Sequence, residues 1–220
     1  MNILYEYESE LTGSIPVTSG SDVGSVVLDE LAAWNGRPET DPAVYPLLSK
    51  YWEPIGIEWT PSGTPWSAAY ISWVSKQGDR GFPSKAAHWQ YVEAVSRGDV
   101  PGWAAYSISK NQGAVPIAVG DILVRPRGSG DPSTAEYWYT HGDIVGSIDG
   151  GRANLYGGNL SDTNKLAQRI DVDEDGIATG KIRDYVVILK RDEKKSPVYA
   201  LGLFLIATAA GIAWITTKKK

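Results

Sequence analysis

The sequence predicts an α+β domain followed by one C-terminal transmembrane helix, and three observations lead to that prediction. Four segments between Ser21 and Gly98 space their apolar residues three and four apart, as amphipathic helices do. After Gly113 the pattern changes to short apolar runs between Gly, Asp and Asn turns, which is typical of strands. Because the helices come first, we expect them to pack on an antiparallel sheet. Residues 197–217 then carry no charge over about the length that crosses a bilayer.

Each predicted helix has a start or a stop signal in the sequence. The first begins after a cap at Ser21 or Asp22 and ends at Asn35-Gly36, and the second opens with a proline in residues 41–56. The third occupies residues 65–78. The fourth, in residues 83–98, has Ser84 as its expected cap and Gly98 as its stop.

Five strands are expected in the second half of the chain. They lie at residues 114–127, 141–149, 152–158, 166–172 and 184–191, and a polar loop at 128–140 separates the first two. The predicted organisation is an N-terminal extension at 1–20, the α+β domain at 21–192 and a charged juxtamembrane linker at 193–196. The transmembrane helix at 197–217 and a basic tail at 218–220 complete it.

The C-terminal run is interpreted as a single-pass membrane anchor. Tyr199 and Trp214 lie near its two ends, where interfacial aromatic residues belong, and basic residues flank it on both sides. A buried core helix is the alternative, but nothing follows the run to cover it. The N-terminus is acidic and lacks the features of a signal peptide, so we expect insertion after synthesis.

Composition excludes several kinds of site. The chain has no cysteine, which excludes disulfides, thiolate metal ligands and a cysteine nucleophile. Its formal net charge is −5 although three lysines form the terminal tail, so nucleic acid is not an expected partner. No cofactor is predicted. Nine Trp and twelve Tyr against two Phe indicate an aromatic core or groove.

Three polar residues stand where chemistry is plausible. Ser67 lies at the start of the third predicted helix, His141 opens a strand after the polar loop, and Asn159 follows the next strand. A side chain at a helix N-terminus lies near unpaired backbone N–H groups and the positive end of the helix dipole, which together stabilise an oxyanion. A serine there is also a common cap or packing residue, so two interpretations of Ser67 remain.

The motif order resembles the papain-like peptidoglycan amidases and endopeptidases of the CHAP and NlpC type. It resembles more closely an uncharacterised bacterial and phage family with serine in place of the catalytic cysteine. The matching segments are PWSAAYISWV at 65–74, AHWQY at 87–91, GD at 120–121, DIV at 143–145 and GGN at 157–159. The resemblance covers about residues 28–190.

The resemblance implies a papain-like fold and three catalytic roles. Ser67 would be the nucleophile, His141 the general base and acid, and Asn159 the residue that orients the histidine. A thiol ionises readily beside a histidine, whereas a serine hydroxyl must lose its proton in the transition state. The expected function is therefore a peptidoglycan amide hydrolase, and the alternative is a catalytically inactive binding or structural protein of the same fold.

Partners and location follow from these two interpretations. We expect peptidoglycan as a partner, the lipid bilayer through the C-terminal helix, and other virion or membrane proteins. A peptidoglycan enzyme must reach the far side of a membrane, yet the N-terminus shows no export signal. The virion membrane of a phage resolves this, and a bacterial inner membrane is the alternative.

Further residues are singled out with two interpretations each. Trp66, His88 and Tyr156 are candidates for substrate binding, with core packing, or for His88 a backbone hydrogen bond, as the alternative. Asp121 and Asp143 are expected to cap turns or brace the sheet rather than act as acids. A further motif, DVDEDG at 171–176, places Asp171, Asp173 and Asp175 at calcium-loop spacing. A hairpin turn is nevertheless preferred, because Ile182 replaces the twelfth-position glutamate.

Overall fold

In the described residues, four α-helices precede six strands along the chain. The computed structural model describes residues 22–61, 63–78, 81–108, 115–127, 140–180, 182 and 184–192. The helices are α1 (Val23–Trp34), α2 (Tyr45–Trp52), α3 (Ser67–Gly78) and α4 (His88–Arg97). The strands are β1 (Trp103–Ser107), β2 (Ile122–Pro126), β3 (Thr140–Asp149), β4 (Arg152–Gly157), β5 (Lys165–Asp171) and β6 (Val187–Arg191). The predicted α+β order is confirmed.

The local helix signals act largely as the sequence predicts. The Asp22 carboxylate accepts the backbone N–H of Gly24 at 3.2 Å, and α1 ends at Asn35 in the left-handed conformation. Helix α4 ends at Gly98, also left-handed, as expected. The prediction that Ser84 caps α4 is wrong, because the helix begins only at His88.

The strands form one sheet in the order β1-β6-β2-β3-β4-β5, and each neighbouring pair is antiparallel. Strand β1 was not predicted. The predicted strand at 114–127 is regular only over Ile122–Pro126. Strand β6 lies between β1 and β2, so the last described strand occupies the interior of the sheet.

The sheet is covered by apolar side chains on both faces. Side chains alternate between the faces of a strand, so neighbours along the chain enter different clusters. The cluster shared with the helices includes Ile122, Val124, Ile144, Tyr156 and Leu189. The cluster on the opposite face includes Leu123, Val145, Leu155, Ile188 and Tyr185. Strand β3 therefore separates a helix face from a far face.

Two aspartates brace the sheet, as predicted. The Asp121 carboxylate accepts the backbone N–H of Ala118 at 2.8 Å and pairs with Lys190 of β6. Burial raises the pKa of Asp121 to about 6, although Lys190 opposes that shift. Asp143 lies on β3 and is fully buried.

The segment at 171–176 forms a tight turn, and the preferred interpretation as a hairpin is confirmed. The Asp173 carboxylate accepts the N–H groups of Asp175 and Ile177 at 3.0 and 2.8 Å, and Asp171 pairs with the exposed Arg152. Within the described part of the chain, no group of three or more His, Asp or Glu side chains is arranged to hold a metal ion.

Several predictions fall outside the described residues. These are the N-terminal extension at 1–20, the linker at 193–196, the transmembrane helix at 197–217 and the tail at 218–220. Among the residues that are described, no helix is long and apolar enough to cross a bilayer.

Candidate functional site

Ser67 is the first residue of α3 and does not cap it. The Tyr70 N–H donates to the Trp66 carbonyl at 2.9 Å, which makes Trp66 the capping position. The Ser67 hydroxyl instead lies 2.8 Å from Nε2 of His88, and Ser67 is only 3% exposed. The serine is therefore held in a buried side-chain pair.

His88 is the first residue of α4, so the starts of two helices meet at this pair. Its second ring nitrogen, Nδ1, contacts the hydroxyl of Tyr91, three residues further along α4. Burial lowers the pKa of His88 well below its usual value, and His141, Arg127 and Arg125 lower it further. His88 is therefore a neutral imidazole at neutral pH.

The partners of His88 suit a general base. Hydroxyl groups both donate and accept hydrogen bonds, so the neutral ring can carry its proton on either nitrogen. With the proton on Nδ1, the ring donates to Tyr91, and Nε2 is free to accept the proton of Ser67. This is the tautomer that activates a serine nucleophile.

The start of α3 also supplies donors for a developing negative charge. The first N–H groups of an α-helix have no carbonyl partner within the helix. In α3 these belong to Ser67, Ala68 and Ala69, beside the Ser67 hydroxyl. Backbone donors in this position stabilise the oxyanion of an acyl-transfer intermediate.

His141 belongs to a second polar cluster, on the far face of β3. It lies opposite Arg125 of β2 in the sheet register, and Asp143 lies opposite Leu123. Opposed residues share a face, and Leu123 belongs to the apolar cluster away from the helices. His141 and Asp143 are both fully buried there.

Both ring nitrogens of His141 are already bonded. Nη2 of Arg127 lies 2.8 Å from Nδ1, and because a guanidinium only donates, Nδ1 must accept. The ring proton is then on Nε2, which donates to Asp143 at 3.0 Å. His141 therefore has no nitrogen available for Ser67 in this structure.

Asp143 is the centre of that second cluster. Its other carboxylate oxygen accepts the Tyr185 hydroxyl at 2.6 Å and lies 3.5 Å from Nε of Arg125. Burial alone would raise the pKa of Asp143, but His141, Tyr185 and Arg125 outweigh it and lower the pKa. Asp143 in turn reinforces the effect of burial in raising the pKa of Tyr185, so the cluster holds a carboxylate and a neutral phenol.

Glycines let the Ser67–His88 pair and this second polar cluster approach each other near the start of β3. A Cβ at Gly142 would lie 2.9 Å from Nδ1 of His88 and would clash with the Tyr91 hydroxyl. A Cβ at Gly157 would clash with the Asp143 carboxylate. With both positions free of side chains, the rings of His88 and His141 lie with their centroids 5.3 Å apart.

The predicted site residues are thus only partly brought together. Ser67 has a histidine partner, which in this structure is His88 and not the predicted His141, because the alternation of β3 turns His141 away from Ser67. Asp143, rather than Asn159, holds His141. Asn159 is a turn residue with a φ of 57°.

The aromatic candidates are core residues. Trp66 is fully buried, stacks on Trp34 with ring centroids 4.5 Å apart, and donates its Nε1–H to Glu39 at 2.7 Å. Tyr156 packs in the same helix-face cluster. Both side chains thus lie in the core, as the core-packing alternative expects. His88 differs from both interpretations given to it, because it bonds two hydroxyl groups rather than backbone or substrate.

Sequence reasoning missed Tyr91, Arg125, Arg127 and Tyr185. Tyr91 carried a signal, since a His and a Tyr three residues apart share one face of a helix. The two arginines alternate with Pro126 at the end of β2, a spacing that places them on one face. Tyr185 carried no local signal, because only the fold brings it to Asp143.

Fold and site together define an α+β protein with a buried Ser–His pair where two helices begin. A family model described as "Uncharacterized protein conserved in bacteria (DUF2272)" matches residues 34–192. The chain belongs to that family. No curated protein and no solved structure matches the chain.

Proposed function

We propose that this protein is a serine hydrolase that cleaves an amide bond of peptidoglycan, with Ser67 as nucleophile and His88 as general base. The hydrogen bond of 2.8 Å between Ser67 and His88 carries the proposal. A buried serine bonded to a neutral imidazole at a helix start is the arrangement that acyl transfer requires.

The proposed reaction has two halves. Ser67 Oγ attacks the carbonyl carbon while Nε2 of His88 takes the hydroxyl proton, and the oxyanion lies at the start of α3. His88 then gives that proton to the leaving amine, and an acyl-serine remains. Water, deprotonated by His88, hydrolyses the acyl-serine and restores both residues. Tyr91 accepts the Nδ1–H and holds the ring in place.

Peptidoglycan as substrate and the papain-like relationship rest on the motif resemblance. The observed order supports the papain-like relationship, because a serine at a helix start precedes an antiparallel sheet. The membrane anchor at 197–217 and the virion location remain proposals. Carbonate extraction of membranes tests the anchor, and the virion location fails if the protein occurs only in membranes of uninfected cells.

A non-catalytic binding or structural protein is the second candidate, favoured by one observation. Ser67 is 3% and His88 is 5% exposed, so a substrate carbonyl has little access to the pair in this conformation. A protein that kept the fold while losing the reaction needs no such access.

Digestion of purified peptidoglycan by the full-length chain in detergent tests the proposal. We expect wild type to release soluble fragments whose masses name the bond, and Ser67→Ala to release none. Ser75→Ala is the matched control, because Ser75 is a buried serine of α3 whose hydroxyl has no hydrogen-bond partner among the described residues. A fluorophosphonate label on wild type that is absent from Ser67→Ala gives an independent readout of the nucleophile. Binding of the wall without any release establishes the non-catalytic alternative.

A further inference from the structure

The second polar cluster, formed by His141, Asp143, Tyr185, Arg125 and Arg127, contains more positive than negative charge. Arg125 and Arg127 both approach it, and Asp143 is the one carboxylate that faces them among the described residues. His141 adds no anion to the cluster, and its ring nitrogens contact Arg127 and Asp143. One guanidinium charge is therefore left without a matching anion within the described part of the cluster.

The two arginines are placed differently. Arg125 lies 3.5 Å from Asp143 through Nε, a long contact. Arg127 bonds through Nη2 to Nδ1 of His141 rather than to a carboxylate, and the residue is exposed to solvent. A guanidinium has five N–H donors in a planar fork, and the contact of Arg127 with His141 uses one of them among the described residues.

The surroundings favour an anion as that partner. Desolvation and the neighbouring Arg125 both lower the pKa of Arg127, which means that its charged form is disfavoured there. A bound anion would offset both effects. Carboxylates match the guanidinium fork with two parallel hydrogen bonds.

We propose that Arg127, supported by Arg125, forms a subsite for a free carboxylate of the substrate. The proposal rests on the proposed function, because it names the part of the substrate that this end of the site would recognise. From Ser67 the contacts lead through His88 and His141 to Arg127. His141 is the second residue of β3 and Arg127 follows the last residue of β2, so these contacts lie at the end of the β2–β3 pair. They place the guanidinium within about four residues of extended chain, ~14 Å, of the nucleophile. The preferred substrate is thus a short peptide amide with a carboxylate a few residues from the bond that is cut.

The test measures binding separately from turnover. The full-length Ser67→Ala chain in detergent is titrated calorimetrically with N-acetyl-alanyl-alanine, with the C-terminal amide of the same peptide, and with inorganic phosphate. We expect the acid to bind at least about tenfold more tightly than the amide, as one charge-assisted pair allows. Adding Arg127→Gln should remove that preference, whereas adding Arg127→Lys should leave part of it, because lysine keeps the charge and loses the fork.

Arg97→Gln is the matched control, since Arg97 is an exposed arginine paired with Glu93 at the end of α4. It should leave the preference unchanged. Equal binding of acid and amide, or a preference that survives Arg127→Gln, would overturn the proposal. Phosphate binding as tight as that of the acid, with the same dependence on Arg127, would overturn the assignment to a carboxylate.

Two further measurements keep the result interpretable. If Arg127→Gln does not fold, the test is the salt dependence of binding to the chain that retains Arg127. Its preference for the acid over the amide must weaken as ionic strength rises. Turnover of peptidoglycan by wild type is recorded alongside. A preference for the acid without turnover means that the proposed function fails and the subsite stands, and turnover without a preference means the reverse.

Discussion

The two histidines of this chain lie 5.3 Å apart and have opposite circumstances. His88 faces two hydroxyl groups and can carry its proton on either nitrogen. His141 is fixed between a guanidinium that only donates and a carboxylate that only accepts. A histidine held between two such charged partners serves as a structural link, whereas one between hydroxyl groups can exchange a proton. Chemical partners, rather than burial, therefore distinguish the two.

The largest expected effect comes from removing the imidazole of His88. We expect His88→Ala to lower kcat/KM for peptidoglycan release by about 10³-fold or more, because His88 is the side chain that hydrogen-bonds Ser67 Oγ in the described site. His141→Ala, assayed on folded protein, should retain far more activity. A larger loss of activity in His141→Ala than in His88→Ala would assign the role of general base to His141.

Asp143 should dominate stability as His88 dominates activity. Asp143→Ala leaves His141, Tyr185 and Arg125 without their shared acceptor, and we expect a loss of about 3–5 kcal/mol in the free energy of unfolding. Urea denaturation measures it. Asp171→Ala is the control, since the Asp171 carboxylate pairs at the surface, and it should cost less than about 1 kcal/mol. Similar losses in both variants would contradict the structural role of the cluster.

Gly142 joins the two clusters, so Gly142→Ala should damage both. Its new methyl group would meet Nδ1 of His88 and the Tyr91 hydroxyl, and overpacking of this kind costs about 1–3 kcal/mol. We expect a lower unfolding midpoint together with lower activity of the folded fraction. Gly180→Ala is the control, because no atom of the described residues lies within contact distance of a new Cβ there. Full activity in a stable Gly142→Ala chain would disprove the close approach.

The lowered pKa of His88 has a defined sign. Below about pH 6.5 His88 is protonated in the unfolded chain but stays neutral in the folded chain. The free energy of unfolding therefore falls with decreasing pH, by up to about 1.4 kcal/mol per pH unit. Above that pH the contribution vanishes. For the same reason the acid limb of kcat/KM should lie below pH 6.5.

Urea unfolding of wild type and His88→Gln across this range isolates the effect. Asp121, with its pKa raised to about 6, acts in the opposite direction. As pH falls it takes up its proton in the folded chain before it does so in the unfolded chain, which stabilises the folded chain. That contribution is common to both chains and cancels in their difference. Parallel stability curves for the two chains would show that His88 has an ordinary pKa.

The smallest expected effect is that of Tyr91→Phe, which removes the hydroxyl at Nδ1 of His88. One neutral hydrogen bond is worth about 1 kcal/mol, so we expect kcat to fall about fivefold with KM nearly unchanged. Tyr106→Phe, on β1 in the far-face apolar cluster, is the control. No change in kcat would mean that Tyr91 does not position the base.

Local signals predicted what local chemistry decides. The Asp22 cap, the left-handed Asn35 and Gly98, and the turn at Asp173 each depend on residues within a few positions. Strand β1 escaped prediction because its short sequence, WAAYS, is ordinary and its partner β6 is distant in the chain. Pairing with β6 therefore stabilises a strand that the residues of β1 alone do not specify.

The candidate site was half predictable for a similar reason. Ser67 stood out because its place at a helix start is local, but its partner depends on how two helix starts meet. The alternation of β3 carried an unused clue. If Ile144 faces the helices, then Gly142 does too, and His141 must face away. The prediction followed the motif resemblance, which implied His141 as the base, and not this alternation.

The position of β6 inside the sheet has a consequence for how the chain folds. Strand β6 pairs with both β1 and β2, which precede it by a long stretch of sequence. The chain must close large loops before these contacts stabilise it, and such topologies fold slowly. Until β6 inserts, β1 has no neighbour and β2 presents an unpaired edge, an open template for association between chains. We therefore expect the interval before β6 joins to be the time when the nascent protein is most prone to aggregate.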